Sequence, residues 1–420
     1  MDRIDRRALR RGGPAWLARA LARSGAGLAL AVGLGLGMPG CTRAPEALPV
    51  CAPAEEAAGL AFCGILNPED LGLLPGGEWL VVSRMAHLDS ASQSQSQSQS
   101  EPELGRPGDL LALRLADGAR RRLFPPDPSD PGSGSRASAG SAGSAGPQGG
   151  TDWGDPDCPG PPDPSSFLPH GLDVASGGSL GDRLVVVNHG GREALELFAL
   201  RADPAPAVEW RGCIPMPEGL MANDVAWLPD GEGLVVTNFS PVLEGSSLTA
   251  LWTGFEILTG RETGSVLRWT PEQGIARVEG SRGSAPNGIA VSPDGSEIFV
   301  AEWGARSVYR LRLGAEGPPV RDSVALEESP GNLTWTPDGR LLVAAQDGGV
   351  LQALACNEIE EGGCDIGYAI YSIDPASLQA DRLLEGRGAA SVALEIGDRI
   401  LVGFFMGDHI ERRPRPARPD

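Results

Sequence analysis

Six runs along the chain share one pattern, a Gly-containing polar turn followed by a short strand-like stretch of Val, Ile, Leu and Phe. They are LLPGGEWLVVS (73–83), VASGGSLGDRLVVVN (174–188), WLPDGEGLVVTN (227–238), VSPDGSEIFVAE (291–302), WTPDGRLLVAA (335–345) and LEIGDRILVGF (394–404). A turn of Gly, Pro and Asp leading into an apolar, β-branched run is a hairpin signal. Helical periodicity is nearly absent from these windows. Outside the one long interval between the first two copies, the turns recur every 44 to 64 residues. That spacing holds about four short strands, which predicts an all-β fold, a six-bladed β-propeller. A double sandwich, the other all-β arrangement, leaves the six-fold register unexplained.

The repeat also predicts which residues meet. Six residues before the turn positions Pro75, Ser176, Pro229, Pro293, Pro337 and Gly397 stand Glu69, His170, Asn223, Asn287, Gly331 and Ser391. The next residues are Asp70, Gly171, Asp224, Gly288, Asn332 and Val392. Equivalent strand starts of a propeller converge on its axis, so these positions form a candidate ring. Asn-Gly and Asn-Asp are ordinary turn residues when met singly; the shared register is what makes them a set. A carboxylate with several carboxamides is an all-oxygen donor set, suited to Ca²⁺ with its six to eight oxygen ligands. Histidine is scarce, with four in the chain. Two of them, His170 and His189, flank one apolar strand in SFLPHGLDVASGGSLGDRLVVVNHGG (166–191).

Taken together, NPEDLGLLPGGEWLVVS, FLPHGLDV, LVVVNHGG, LMANDVAWLP, PNGIAVSPDGSEIFVAEW and GNLTWTPDG resemble the paraoxonase (arylesterase/lactonase) family. They are more distantly similar to the gluconolactonase-like propellers. The resemblance runs in order from about residue 63 to 409 and implies a six-bladed propeller with two calcium ions. By position it implies Glu69, Asn223, Asn287 and Asn332 at a catalytic calcium, with Asp70, Asp224 and the Leu172 carbonyl at a structural one. It implies a histidine dyad, His170 activating water and His189 orienting it. The implied activity is hydrolysis of a small hydrophobic lactone or aryl ester. That chemistry needs no nucleophilic serine. The chain departs from the family at Gly331, where an aspartate is usual before the asparagine. It also has no cysteine after Cys364, so the family's disulfide joining the two ends is absent. The alternative reading is a non-catalytic, calcium-stabilised propeller lipoprotein that binds a ligand or protein partner.

The remaining features concern export and chain organisation. Residues 1–40 combine an arginine-rich start with a short apolar, glycine-rich run and end in MPG before Cys41. This is a secretory signal of lipoprotein type, with Cys41 the expected lipidation site and the lipid the only membrane attachment. Its removal, with seven arginines and two aspartates, takes the net charge from −20 to −25, which makes nucleic acid a poor partner. The expected location is the bacterial cell envelope and the expected state a monomer. Six further cysteines, Cys51, Cys63, Cys158, Cys213, Cys356 and Cys364, suggest three disulfides of open connectivity. Residues 41–62 are expected as a tether, 63–412 as the propeller and 413–420 as a tail. The tracts 90–105 and 127–164 lack large apolar residues and are expected as disordered insertions. At 246–260, Leu248, Leu251, Trp252 and Phe255 fall at helical spacing, a rim helix or an apolar lid. His87 is expected exposed and His409 near the channel mouth.

Overall fold

A computed structural model describes residues 45–85, 108–126 and 153–417, except 204, 230, 232, 242–246 and 314–318. Cys41, His87, the signal segment and most of both low-complexity tracts lie outside the described residues. Six sheets of four or five strands follow one another along the chain. The innermost strands are Pro68–Leu73, Pro169–Ala175, Leu220–Trp227, Pro286–Val291, Ser329–Trp335 and Ala389–Ile396. The chain is a six-bladed β-propeller. Each of the six turn signals closes the hairpin between the first and second strands of a blade. Glycines in those turns (Gly76, Gly178, Gly231, Gly295, Gly339 and Gly397) all take positive φ, which is why the turns carry glycine.

The second strands are buried on both faces; Leu184, Val185, Val186 and Val187, for instance, are inaccessible to solvent. Blades stack face to face, so these strands read as continuous apolar runs without strand-like alternation. Six apolar clusters fill the six interfaces between neighbouring blades. One joins blades one and two through Val81, Leu110, Leu184 and Phe198, and another closes the circle between blades six and one through Leu71, Leu80, Val392 and Leu401. Each fully buried Leu or Val contributes about 1.5–3 kcal/mol, so the ring is held by its interfaces and not by one central core.

Closure uses the two chain ends. Ala61–Cys63 pairs antiparallel with His409–Glu411 and becomes the outermost strand of the last blade. Residues 45–62 of the segment expected as a tether are therefore folded. Ala47–Leu48 pairs with Gly363–Cys364, a short helix spans Pro53–Ala57, and the Cys51 N–H donates to Asp408 Oδ2 at 2.8 Å. The last strand likewise runs into the expected tail, to Pro414, and Arg415 pairs with Glu395 at 3.1 Å. The disulfides are Cys51–Cys63, Cys158–Cys213 and Cys356–Cys364. The second corrects the expectation for 127–164. Residues 153–164 have a defined place, because Cys158 is bonded to blade two and Trp153–Gly154 pairs with Gly212–Cys213. Composition alone misses such a covalent anchor.

Candidate active site

Every innermost strand slips register against its partner at the same level. The slips fall at Pro68/Asp70, Pro169/Leu172, Ala222/Val225, Pro286/Ile289, Pro330/Leu333 and Ala390/Val392. The residues left outside the ladder are Glu69, His170–Gly171, Asn223–Asp224, Asn287–Gly288, Gly331–Asn332 and Ser391, which is the ring read from the repeat except for Asp70 and Val392, both still paired. A bulge frees a residue from strand pairing and re-aims its side chain. Here it happens six times around one axis.

Glu69 joins several of these positions. The Asn332 amide donates to its Oε1 at 3.2 Å, the Ser391 hydroxyl donates to its backbone carbonyl at 2.6 Å, and His170 Nε2 lies 3.5 Å from Oε1. Blades one, two, five and six thus meet at one buried carboxylate. The Thr237 hydroxyl links blades three and four, accepting from the Asp224 N–H at 3.0 Å and donating to the Asn287 carbonyl at 2.5 Å. His170 Nδ1 lies 2.9 Å from His189 Nε2, and His189 Nδ1 lies 2.9 Å from Glu193 Oε2. The loop carrying His189 and Glu193 is fixed from beneath. Asn188 Oδ1 accepts from the Leu168 and Gly190 N–H groups, each at 3.0 Å. The fully buried Glu196 holds Arg192 by two hydrogen bonds and accepts from the Trp210 indole.

Three buried oxygens of the ring, Glu69 Oε2, Asn223 Oδ1 and Asn332 Oδ1, have no hydrogen-bond partner among the described residues. An unpartnered buried acceptor costs about 1–3 kcal/mol, so three at one level are unfavourable unless something positive joins them. Carboxylates add to this. Asp70 and Asp224 are 4% and 3% exposed, and burial pushes both carboxyls well up from the ordinary range. The Asp224 and Glu69 charges reinforce this at Asp70, and the Glu69 and Asp173 charges at Asp224. Backbone N–H groups of Leu71 and Leu172 on Asp70, and of Val225 and Ile289 on Asp224, oppose the shift. Asp173 is pushed up to about 7 by burial, against the pull of the Trp227 N–H it accepts. Burial acts to lower the His170 imidazole, but the adjacent Glu69 carboxylate outweighs it and raises the net value. An all-oxygen, carboxylate-bearing donor set with orphaned acceptors fits a hard divalent cation. Asn287 stands at the ring register of blade four, and Leu172 enters through its N–H to Asp70. Asp70, Asp173 and Asp224 line a channel of about 280 Å³ together with apolar side chains that include Val291 and Trp335.

Gly331 has a packing reason. A Cβ there would lie 2.7 Å from the Ser391 carbonyl oxygen. Gly171 and Gly288 are confined in the same way against the neighbouring strands, so backbones at the ring touch where side chains would separate them. The helix expected at 246–260 spans Ser247–Leu258. Thr253 and Ile257 are buried, Ile257 against Ala285 and Trp303, whereas Trp252 and Phe255 are 56% and 46% exposed. His409 pairs with Asp408 at 3.0 Å beside the junction of the chain ends. Sequence reasoning missed Glu193, Thr237 and Asp173. Only Glu193 left a local signal, an acid four residues after a histidine in a Gly-Gly loop.

No protein-family model and no curated protein matches the chain. Solved structures similar to it include a gluconolactonase of Xanthomonas campestris, 14% identical over 89% of this chain and 95% of that one, with a TM-score of 0.46. A periplasmic gluconolactonase of Pseudomonas aeruginosa is 14% identical over 83% and 89%, at 0.41. A luciferin-regenerating enzyme is 12% identical over 83% and 91%, at 0.48. At that distance nothing about activity passes from them to this chain.

Proposed function

We propose that this protein is an exported, calcium-dependent hydrolase of lactones, with aryl esters as a second substrate class. What supports the reading is one juxtaposition: a hydrogen-bonded histidine pair beside a buried carboxylate, in a ring with three unpartnered acceptor oxygens. His170 is the general base. Its Nε2 takes a proton from water, and the hydroxide formed adds to the acyl carbon. The ring C–O bond of the lactone then breaks and the proton passes from His170 to the departing alkoxide, which yields a hydroxy acid. His189 holds His170 in place, and the loop around Asn188 and Glu196 holds His189. Calcium held by Glu69, Asn223, Asn287 and Asn332, when bound, supplies positive charge that polarises the carbonyl and stabilises the oxyanion. Asp70, Asp224 and Leu172 suit a second, structural calcium. The substrate is a small hydrophobic ester or lactone. Three disulfides accord with an oxidising compartment, and a lipid on Cys41 is the proposed membrane tie.

The test is a panel of phenyl acetate with γ- and δ-lactones, measured with calcium and with chelator. Activity should vanish with chelator and fall by about 10²-fold or more in His170→Gln. Full activity in that variant sinks the mechanism. A second reading, a non-catalytic calcium-stabilised propeller that binds a ligand or partner, draws on Gly331, which leaves Glu69 the one carboxylate at the upper level of the ring. Calorimetry separates the two: two calcium sites are expected of the hydrolase, one of the binding protein.

A further inference from the structure

Among the described residues, Glu193 is the one carboxylate hydrogen-bonded to both the histidine pair and the strand bearing Asn223. Its Oε2 lies 2.9 Å from His189 Nδ1, and its Oε1 accepts from the Ala222 N–H at 2.7 Å. Ala222 precedes Asn223 on the innermost strand of blade three, whereas Glu193 sits in the loop of blade two just before the strand Ala194–Arg201. We propose that Glu193 is a positioning residue that sets the proton order of the histidine pair and locks it to the neighbouring blade.

The reasoning is one of donors and acceptors. An ionised carboxylate only accepts, so His189 Nδ1 carries hydrogen. The other nitrogen, Nε2, then holds a lone pair and accepts from His170 Nδ1 across 2.9 Å. His170 Nδ1 therefore carries its own hydrogen, and the lone pair left over is on His170 Nε2, the atom that lies 3.5 Å from Glu69 Oε1. Every hydrogen in the chain is oriented from the Glu193 end, and the basic nitrogen emerges at the ring. Hydrogen bonding at the second ring nitrogen is what selects a histidine tautomer. The side-chain partners of Glu193 are His189 and the Ala222 N–H, not the ring oxygens, so it acts through His189. The proposal rests on the hydrolase reading for its catalytic consequence, but not for its structural one.

Glu193→Gln tests it without changing size or shape. The Ala222 N–H still needs an acceptor and takes the amide oxygen, which turns the amide nitrogen towards His189 Nδ1. That group only donates, so His189 must switch to the Nε2–H form, and His170 must switch with it or face it hydrogen to hydrogen. Either way the lone pair at the ring is lost or misdirected. With four histidines in the chain, side-chain ¹⁵N NMR of the holoprotein resolves each ring. We expect His189 as the Nδ1–H tautomer in the wild type and as Nε2–H in Glu193→Gln, at unchanged Tm. We expect kcat to fall by about 10²–10³-fold with KM nearly constant, a milder form of the roughly 10⁴-fold loss when the triad aspartate of serine proteases becomes asparagine. Glu193→Asp, which remains a pure acceptor, should keep the Nδ1–H tautomer and recover part of kcat. Unaltered His189 signals in Glu193→Gln overturn the proposal, as does wild-type kcat in that variant. Tautomer inversion in a protein inactive on every ester and lactone overturns the hydrolase reading and leaves the positioning role standing.

Discussion

Asp173 offers a test of the channel's electrostatics that needs no substrate. Its carboxyl lies on the inner strand of blade two, accepts the Trp227 N–H at 2.8 Å, and is pushed up from 3.8 to about 7 by burial. A raised carboxyl pKa means that the folded state holds the proton more tightly than the unfolded chain. Stability therefore falls as pH rises from about 4 to about 7, and the full penalty is present above that window. A shift of about three units corresponds to about 4 kcal/mol at 1.36 kcal/mol per unit. Asp173 keeps some solvent access, which reduces the expected penalty to about 2 kcal/mol. Asp173→Asn keeps an oxygen for the Trp227 N–H and removes the charge. In chelator, urea unfolding should show the variant about 2 kcal/mol more stable than wild type at pH 8 and equal to it at pH 4. With calcium added, the gain should shrink, since a cation held by the nearby Asp70 and Asp224 lowers the cost of a third negative charge. A variant equally stable or less stable at pH 8 in chelator would show that the carboxylate is compensated, and the account of a charge-strained channel would be wrong.

Two further substitutions probe the ring and its rim. Gly331→Ala places a methyl 2.7 Å from the Ser391 carbonyl and should cost about 1–3 kcal/mol by overpacking. Because Ser391 holds the Glu69 carbonyl, calcium affinity measured by calorimetry should drop with it, and unchanged affinity would detach Gly331 from the site. Trp252→Ser with Phe255→Ser alters side chains that are about half exposed, so Tm should stay within about 1 °C. A rise in KM confined to long-chain substrates would mark the helix as a lid, and unchanged KM would leave it a rim element.

The fold was legible because its defining element is local. Each Gly-bearing turn specifies its own hairpin, and six of them in register specify a closed ring. The ring residues were legible for the same reason, since counting from the turn lands on each bulge. Glu193 escaped because its two partners come from opposite sides, His189 four residues away in its own loop and Ala222 in the next blade. The N-terminal strand escaped because Ala61–Cys63 finds its partner about 350 residues later, beyond any window of periodicity. Residues 153–164 were misjudged on composition, which weighs apolar area and ignores a disulfide. Helix 247–258 was legible from its spacing, but not which of its side chains are covered. A stripe of Trp and Phe says where apolar side chains are, and the neighbouring blade decides which of them it covers.

The pairing of Ala61–Cys63 with His409–Glu411 also has a consequence for how the protein comes into being. The strand that completes the last blade is made first and used last. Until the final strand has been synthesised, residues 61–63 have no sheet to join, and blades one and six each present an open face. Five of the six interfaces can form in order as the chain emerges, but the sixth waits for both ends. The propeller is thus a necklace whose clasp is half made at the start, and nearly the whole chain must be present before the ring can shut.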